Sequence, residues 1–147
     1  MNPMFKALVV GSLLLLSSIM SAGSVLAADL TDDEIYWLTY MREEEKLARD
    51  VYLFLYNTWG SPIFSKISAS EQTHMAAIKA LLERFGVPDP AAGKEAGEFF
   101  APELQALYDD LIAQGRVSLV EALKVGVFIE ETDIEDLNDA KASTNRN

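Results

Sequence analysis

The sequence has no cysteine and only one histidine among its 147 residues. The lack of cysteine excludes disulfide bonds, thiolate metal sites and cysteine nucleophiles. A metal site in this chain would therefore have to use carboxylates and a single imidazole. Such a ligand set favours iron or manganese over structural zinc.

Basic residues are also scarce. The chain has 12 lysines and arginines against 23 aspartates and glutamates, which gives a net charge of −11. A protein this acidic repels nucleic acid and anionic lipid surfaces. We therefore expect neither nucleic acid nor an anionic membrane surface as a partner, and look instead to metal ions.

Only one long apolar stretch is present, and it lies at the N-terminus. Residues 1–6 carry one positive charge, residues 7–20 are apolar, and residues 21–27 are small and end in Val25-Leu26-Ala27. This order is typical of a cleaved signal peptide, so we expect a signal peptide over residues 1–27 and a mature domain over residues 28–147, periplasmic or secreted. The competing interpretation is a retained membrane anchor, because the uncharged residues 7–27 could just cross a bilayer.

The rest of the chain has a helical pattern, with no alternation of apolar and polar residues long enough to predict a sheet. Capping residues, glycines and prolines divide it into four predicted helices, over residues 32–59, 68–85, 102–114 and 118–140. The short connections between long helices predict antiparallel neighbours. The expected fold class is an all-α bundle.

Three of these helices carry a carboxylate on an otherwise apolar stripe. They are Glu45 on the first helix, Glu71 with His74 on the second, and Glu130 on the fourth, with Asp133 one turn further along. The stripe predicted for the fourth helix comprises Leu119, Leu123, Gly126, Glu130, Ile134 and Leu137. Carboxylates that meet in a bundle core repel one another unless they are protonated or bridged by cations. Divalent ions bridged by the glutamates, with His74 as a further ligand, would relieve this repulsion.

The same residues also have simpler interpretations, and spacing alone does not decide between them. Glu71 could complete a capping box with Ser68, and Glu45 could form a surface ion pair with Arg49. Glu130 and Glu131 could belong to a solvated acidic face. We assign Glu121 to a capping box with Ser118. The tyrosines of the first helix are more typical of core or interface aromatics than of redox relays.

Five sequence blocks, taken in order, resemble a ferritin-like family of unknown function related to the rubrerythrins. The blocks are EEEKLARDVY at residues 43–52, SEQTHM at 70–75, LYD at 107–109, ALKVG at 122–126 and IEETDIEDL at 129–137. No single block is specific, but their combination is, and the resemblance extends over about residues 32–137.

This resemblance implies a ferritin-like bundle with a non-haem di-iron carboxylate site. In that superfamily two helices each provide one glutamate and two provide a Glu-x-x-His pair. The resemblance assigns Glu45 to the lone-glutamate helix, Glu71 and His74 to one Glu-x-x-His pair, and Glu130 to the second helix pair. It also implies oxidase, peroxidase or ferroxidase-type chemistry with oxygen or peroxide.

The sequence departs from the family pattern at its C-terminal end. The pattern is expected to continue into a further helix with a Ser-Arg-Asn-His-like segment, whereas only Asn145-Arg146-Asn147 follow the fourth helix here, and no second histidine is present. We therefore expect the C-terminal helix to be missing or shortened. Asp133 could substitute as a ligand, the site could be mononuclear, or a second subunit of a homodimer could complete it. The alternative function is an inactive bundle that serves as a protein-interaction or metal-sequestering module.

Overall fold

The computed structural model of the protein describes residues 30–144, which form four helices and no strand. The helices are α1 (Asp32–Trp59), α2 (Pro62–Phe85), α3 (Pro102–Gly115) and α4 (Leu119–Thr144). This confirms the predicted all-α bundle. The predicted signal peptide and the last three residues lie outside the described part of the chain. Among the described helices, none is both long and apolar enough to cross a membrane.

Helix α1 is the centre of the bundle, because it packs against each of the other three helices. Its first turn has the predicted capping box, in which Thr31 and Glu34 exchange hydrogen bonds. At its other end, Gly60 adopts a left-handed conformation with φ of 65°, which a glycine allows without strain. The chain then reverses within two residues, and α2 returns antiparallel along α1.

Helix α2 begins at Pro62, six residues before the start that the sequence predicted. Proline is well suited to the first turn of a helix, because its missing N–H would have no partner there. Ser68 is therefore inside the helix and cannot act as its cap, so the capping-box interpretation of Glu71 is wrong. At the start of α4, Ser118 accepts a hydrogen bond from the Glu121 N–H, but the Glu121 carboxylate turns to Lys124 instead of completing the predicted box.

The buried face of α4 differs from the predicted stripe by a rotation about the helix axis. Leu119, Leu123 and Ile134, which the sequence placed in the core, are exposed. The buried residues of this helix are Ala122, Val125, Gly126, Ile129 and Ala140. Their spacing continues through positions 133 and 136, which are both acidic. The prediction failed because it followed the apolar side chains Leu119, Leu123 and Ile134, whereas the face that packs inward carries acidic residues in its C-terminal half.

Buried charges on α1 fix the long connection between α2 and α3. Arg42 forms two hydrogen bonds of 3.0 Å with the Asp89 carboxylate. The Lys46 ammonium lies 2.7 Å from Asp50 and 2.7 Å from the Glu95 carbonyl oxygen. These contacts cover the side of α1 that faces away from α2, so residues 42–48 are buried all around the helix.

Glu43 contributes to the same anchoring by capping α3. Its carboxylate accepts hydrogen bonds from the backbone N–H groups of Phe100 and Ala101, immediately before the helix begins. The carboxylate is also favoured by the positive end of the α3 dipole. These two hydrogen bonds account for the buried Glu43 carboxylate without a metal ion.

We expect the Glu43→Ala variant to lose about 1–3 kcal/mol of unfolding free energy, because it leaves two part-buried backbone donors without their acceptor. Glu43→Gln retains one acceptor oxygen and should lose less. Urea unfolding followed by circular dichroism measures both. Alanine at the exposed Glu103, in the first turn of α3, is the control and should change the stability little. Equal stability of Glu43→Ala and wild type would contradict the capping role.

Candidate metal centre

Helices α1 and α2 bring three of the predicted ligands together in the core. Glu71 and His74 lie one turn apart on α2, and Glu45 faces them from α1. The His74 Nδ1 atom is 2.8 Å from Glu71 Oε2 and 3.1 Å from Glu45 Oε2. Glu45, Glu71 and His74 are only 7%, 3% and 6% exposed. One ligand atom from each residue lies within 4.8 Å of the others, so the group has the size of a metal site.

The spacing and chemistry of these donors fit a metal ion. Two ligands at right angles around an ion, with bonds of about 2.1 Å, are about 3 Å apart. The two contacts of His74 are of this length. Two carboxylates and one imidazole are ligands that suit iron or manganese, and they leave coordination positions open for other groups.

The two predicted ligands on α4, Glu130 and Asp133, lie beside this group without joining it at ligand distance. Burial raises the pKa of Glu130, although a hydrogen bond from Tyr52 opposes the shift, and the charge on Glu71 adds to it. Burial also raises the pKa of Asp133 well above its ordinary value, and the nearby charges on Glu45 and Glu71 raise it further. All five predicted residues therefore belong to one electrostatic cluster, and three of them form its compact core.

His74 supplies positive charge to this acidic cluster. Burial alone would lower the pKa of the imidazole, but the hydrogen bonds with Glu45 and Glu71 outweigh it and raise the pKa to about 10. Burial raises the pKa of Glu45 to about 7, even though the His74 hydrogen bond opposes the shift. In the absence of a metal, His74 is therefore protonated at neutral pH and bridges the two carboxylates.

The alternative ion pair between Glu45 and Arg49 is not formed. The Arg49 guanidinium instead binds the Asp50 carboxylate at 2.7 Å and the Gln72 side-chain oxygen at 3.0 Å. Helix α3 contributes no carboxylate from Asp109 or Asp110 to the cluster, since both residues are exposed.

Sequence reasoning missed that the acidic cluster continues past Asp133. Glu44 is buried, and its pKa is raised to about 11 by burial, by the charge on Asp133 and by a hydrogen bond with Asp136. The spacing of Asp133 and Asp136 with Ile129 and Ala140 was the available signal, because together they follow one face of α4.

A family model described as "Uncharacterized protein domain (DUF2202)" matches residues 34–147 of the chain. The chain belongs to the DUF2202 family. The match includes every residue of the acidic cluster, so the cluster lies within the family domain.

The chain is also similar to a protein from Methanocaldococcus jannaschii. "Uncharacterized protein MJ0754" from Methanocaldococcus jannaschii is 52% identical over 108 residues, which are 74% of this chain and 58% of that protein. The chain thus spans less than two thirds of its relative. The crystal structure of hypothetical protein MJ0754 has a TM-score of 0.80 and 47% identity, and the alignment covers 84% of this chain and 71% of that one. These names state no activity.

The DUF2202 domain should lose stability in metal-free buffer as the pH rises from 5 to 9. The folded protein holds protons on Glu45 up to a pKa of about 7 and on His74 up to about 10, whereas the unfolded chain releases them near 4.5 and 6.5. Between these values the native state binds more protons, so the unfolding free energy falls with increasing pH. Thermal midpoints measured with a chelator present test this.

General charge repulsion in an acidic chain acts in the same direction, so this prediction needs a matched control. Glu44→Gln removes a buried carboxyl with a raised pKa and should flatten the pH dependence, whereas Glu131→Gln alters an exposed one and should not. A thermal midpoint that stays constant or rises between pH 5 and pH 9 would contradict the prediction.

Proposed function

We propose that this protein is a ferritin-like metal-binding protein that holds iron or manganese through Glu45, Glu71 and His74. The observation that carries the proposal is the contact of His74 Nδ1 with two carboxylate oxygens at 2.8 and 3.1 Å in a buried position. Glu130 and Asp133 provide further carboxylates next to this group. Their closer approach would complete the ligand set.

The energetic cost of the cluster supports a functional role. A buried carboxyl group without a cation is either ionised at a high cost in free energy or held protonated, as the raised pKa values of Glu45, Glu130 and Asp133 indicate. Natural proteins keep such destabilised sites where activity requires them. A divalent ion would supply the missing positive charge, which is why we prefer this function to a bundle without metal. In a bundle without a metal we would expect these carboxyl groups to face solvent, whereas Glu45 and Glu71 are only 7% and 3% exposed.

The proposed activity is redox chemistry of the oxidase, peroxidase or ferroxidase type. A bound iron or manganese ion would supply one-electron chemistry toward oxygen or peroxide. Glu45, Glu71 and His74 would bind and orient the ion, and their low exposure would limit the access of water. The compact three-residue group is large enough for one ion. A di-iron site would in addition need the carboxylates of Glu130 and Asp133.

The experiment that tests this function is metal analysis of the purified chain before and after anaerobic loading with Fe²⁺ or with Mn²⁺. We expect one or two tightly held ions per chain, and the number separates a mononuclear from a di-iron site. The Glu71→Ala, His74→Ala double variant should hold almost none. A double variant at the exposed Glu131 and Glu135 is the matched control and should bind like wild type. Equal, near-zero metal in wild type and in the ligand variant would overturn the proposal.

We also propose that the protein acts outside the cytoplasm, in the periplasm or after secretion. The support is the signal-like order of charge, apolar residues and small residues over residues 1–27. Intact mass measurement of the protein from the extracytoplasmic fraction tests it, since cleavage predicts a chain that begins at Ala28. A full-length mass in the membrane fraction would favour a retained anchor instead.

A further inference from the structure

Tyr52 links α1 to α4 next to the proposed metal centre. Its side chain is fully buried on α1, with 0% exposure. The hydroxyl lies 2.8 Å from Glu130 Oε1 and 3.0 Å from the Gly126 carbonyl oxygen. A phenol has a single hydrogen to donate, so these two acceptors share it. Within residues 30–144, Tyr52 is the hydrogen-bond donor to the Glu130 carboxylate.

Gly126 provides the space that this contact requires. A β-carbon at this position would lie 3.3 Å from Tyr52 Cε1 and 3.4 Å from the Tyr52 hydroxyl oxygen. Both distances are shorter than ordinary van der Waals contacts, so an alanine would displace the ring by a few tenths of an ångström. Glycine in the middle of a helix costs about 1 kcal/mol relative to alanine. The close approach of the tyrosine gives a reason for this glycine.

The consequence for Glu130 is a fixed orientation. The hydrogen bond is made to Oε1, which leaves Oε2 free of this contact. Without a donor, the charge on Glu71 would repel the Glu130 carboxylate from the cluster. The hydrogen bond from the tyrosine hydroxyl opposes this repulsion and holds the carboxylate in place.

We propose that Tyr52 is a positioning residue of the metal centre, which holds Glu130 through one oxygen so that the other can serve as a metal ligand. Gly126 contributes to this positioning, because its lack of a β-carbon leaves room for the Tyr52 ring and so lets the hydroxyl reach Glu130. The inference rests on the proposed metal-binding function and adds a role for two residues that are not themselves ligands. Removal of groups that orient metal ligands typically weakens metal binding 10- to 100-fold.

The test uses the full chain and Co²⁺, whose visible absorption bands report the number and geometry of its ligands. In Tyr52→Phe we expect Co²⁺ to bind about 10- to 100-fold more weakly, with altered absorption bands, because Glu130 is no longer held. Tyr56→Phe is the matched control, since it removes a hydroxyl one turn along α1 from a partly exposed tyrosine. Its Co²⁺ affinity and spectrum should equal those of wild type.

Gly126→Ala tests the same contact from α4 and covers the case in which Tyr52→Phe folds poorly. It should weaken Co²⁺ binding in wild type but add little in the Tyr52→Phe background, because both substitutions disrupt one interaction. Wild-type affinity and spectrum in Tyr52→Phe would overturn the positioning role while leaving the metal site intact. Failure of the wild-type chain to bind Co²⁺, Fe²⁺ or Mn²⁺ would overturn the proposed function and this inference with it.

Discussion

Replacing His74 with alanine should lower the affinity for Mn²⁺ at least about 100-fold and also destabilise the metal-free protein. The loss of affinity should exceed the effect of removing a group that only orients a ligand, because His74 is itself a ligand. The loss of stability follows from its contacts at 2.8 and 3.1 Å with two buried carboxylates. Removing one partner of a buried ion pair costs about 3–5 kcal/mol.

The pH dependence of this variant distinguishes the two effects. At pH 8 the imidazole of the wild type is protonated, because its pKa is raised to about 10, so its removal leaves Glu45 and Glu71 without the cation that both carboxylates contact. Near pH 5 Glu45, whose pKa is raised to about 7, takes up a proton instead, and the destabilisation should be smaller. Isothermal titration calorimetry with Mn²⁺ measures the metal affinity, and urea unfolding in the presence of a chelator measures the stability of the metal-free protein. Wild-type Mn²⁺ affinity in His74→Ala would show that the imidazole is not a ligand.

Replacing Lys46 with methionine should destabilise the protein by about 3–5 kcal/mol without removing any proposed ligand. The ammonium group is buried, lies 2.7 Å from the Asp50 carboxylate, and sits 4.6 Å from the centre of the Phe99 ring. Methionine keeps much of the volume of the lysine side chain but has no ammonium group. The Glu95 carbonyl oxygen therefore loses its hydrogen bond from Lys46, and Asp50 keeps only Arg49 as a cationic partner. The connection between α2 and α3 should loosen first, because Lys46 holds it to α1.

Urea unfolding compares this variant with Lys79→Met, which has the same substitution in a different setting. Lys79 forms an exposed pair with Glu83 at 3.7 Å, and such pairs contribute little, so its loss should cost below about 1 kcal/mol. Similar unfolding free energies for the two variants would contradict the structural role of Lys46. Mn²⁺ binding by folded Lys46→Met should remain close to that of wild type.

The sequence predicted α1 closely because its signals are local. Its capping box, its helical period and the glycine that ends it all lie within the helix or next to it, and the structure has the same bounds. The placement of Glu45 opposite Glu71 and His74 followed from the apolar stripes of the first two helices, which face each other when the helices pack antiparallel. Periodicity and a short connection were therefore sufficient to predict the part of the site formed by α1 and α2.

The orientation of α4 could not be predicted in the same way, because this helix reverses the usual distribution of polarity. Val120 and Val127 are 62% and 49% exposed, while Asp133 lies in the acidic cluster. A hydrophobic pattern places the apolar side chains of a helix inside, so it misplaces a helix whose inner face is acidic. The burial of Arg42 and Glu43 could not be predicted either, because it depends on the connection between α2 and α3, which lies about 50 residues away in the sequence.

The two-residue reversal at Gly60 also has a consequence for the order of folding. Contacts between α1 and α2 close short loops, and the entropic cost of loop closure rises with length. Glu45, Glu71 and His74 are 29 residues apart or less, whereas Tyr52 and Glu130 are separated by 78. The helical hairpin can therefore assemble the three-residue group before α4 docks, so that the carboxylates meet while one side of the site is still open to water and to ions.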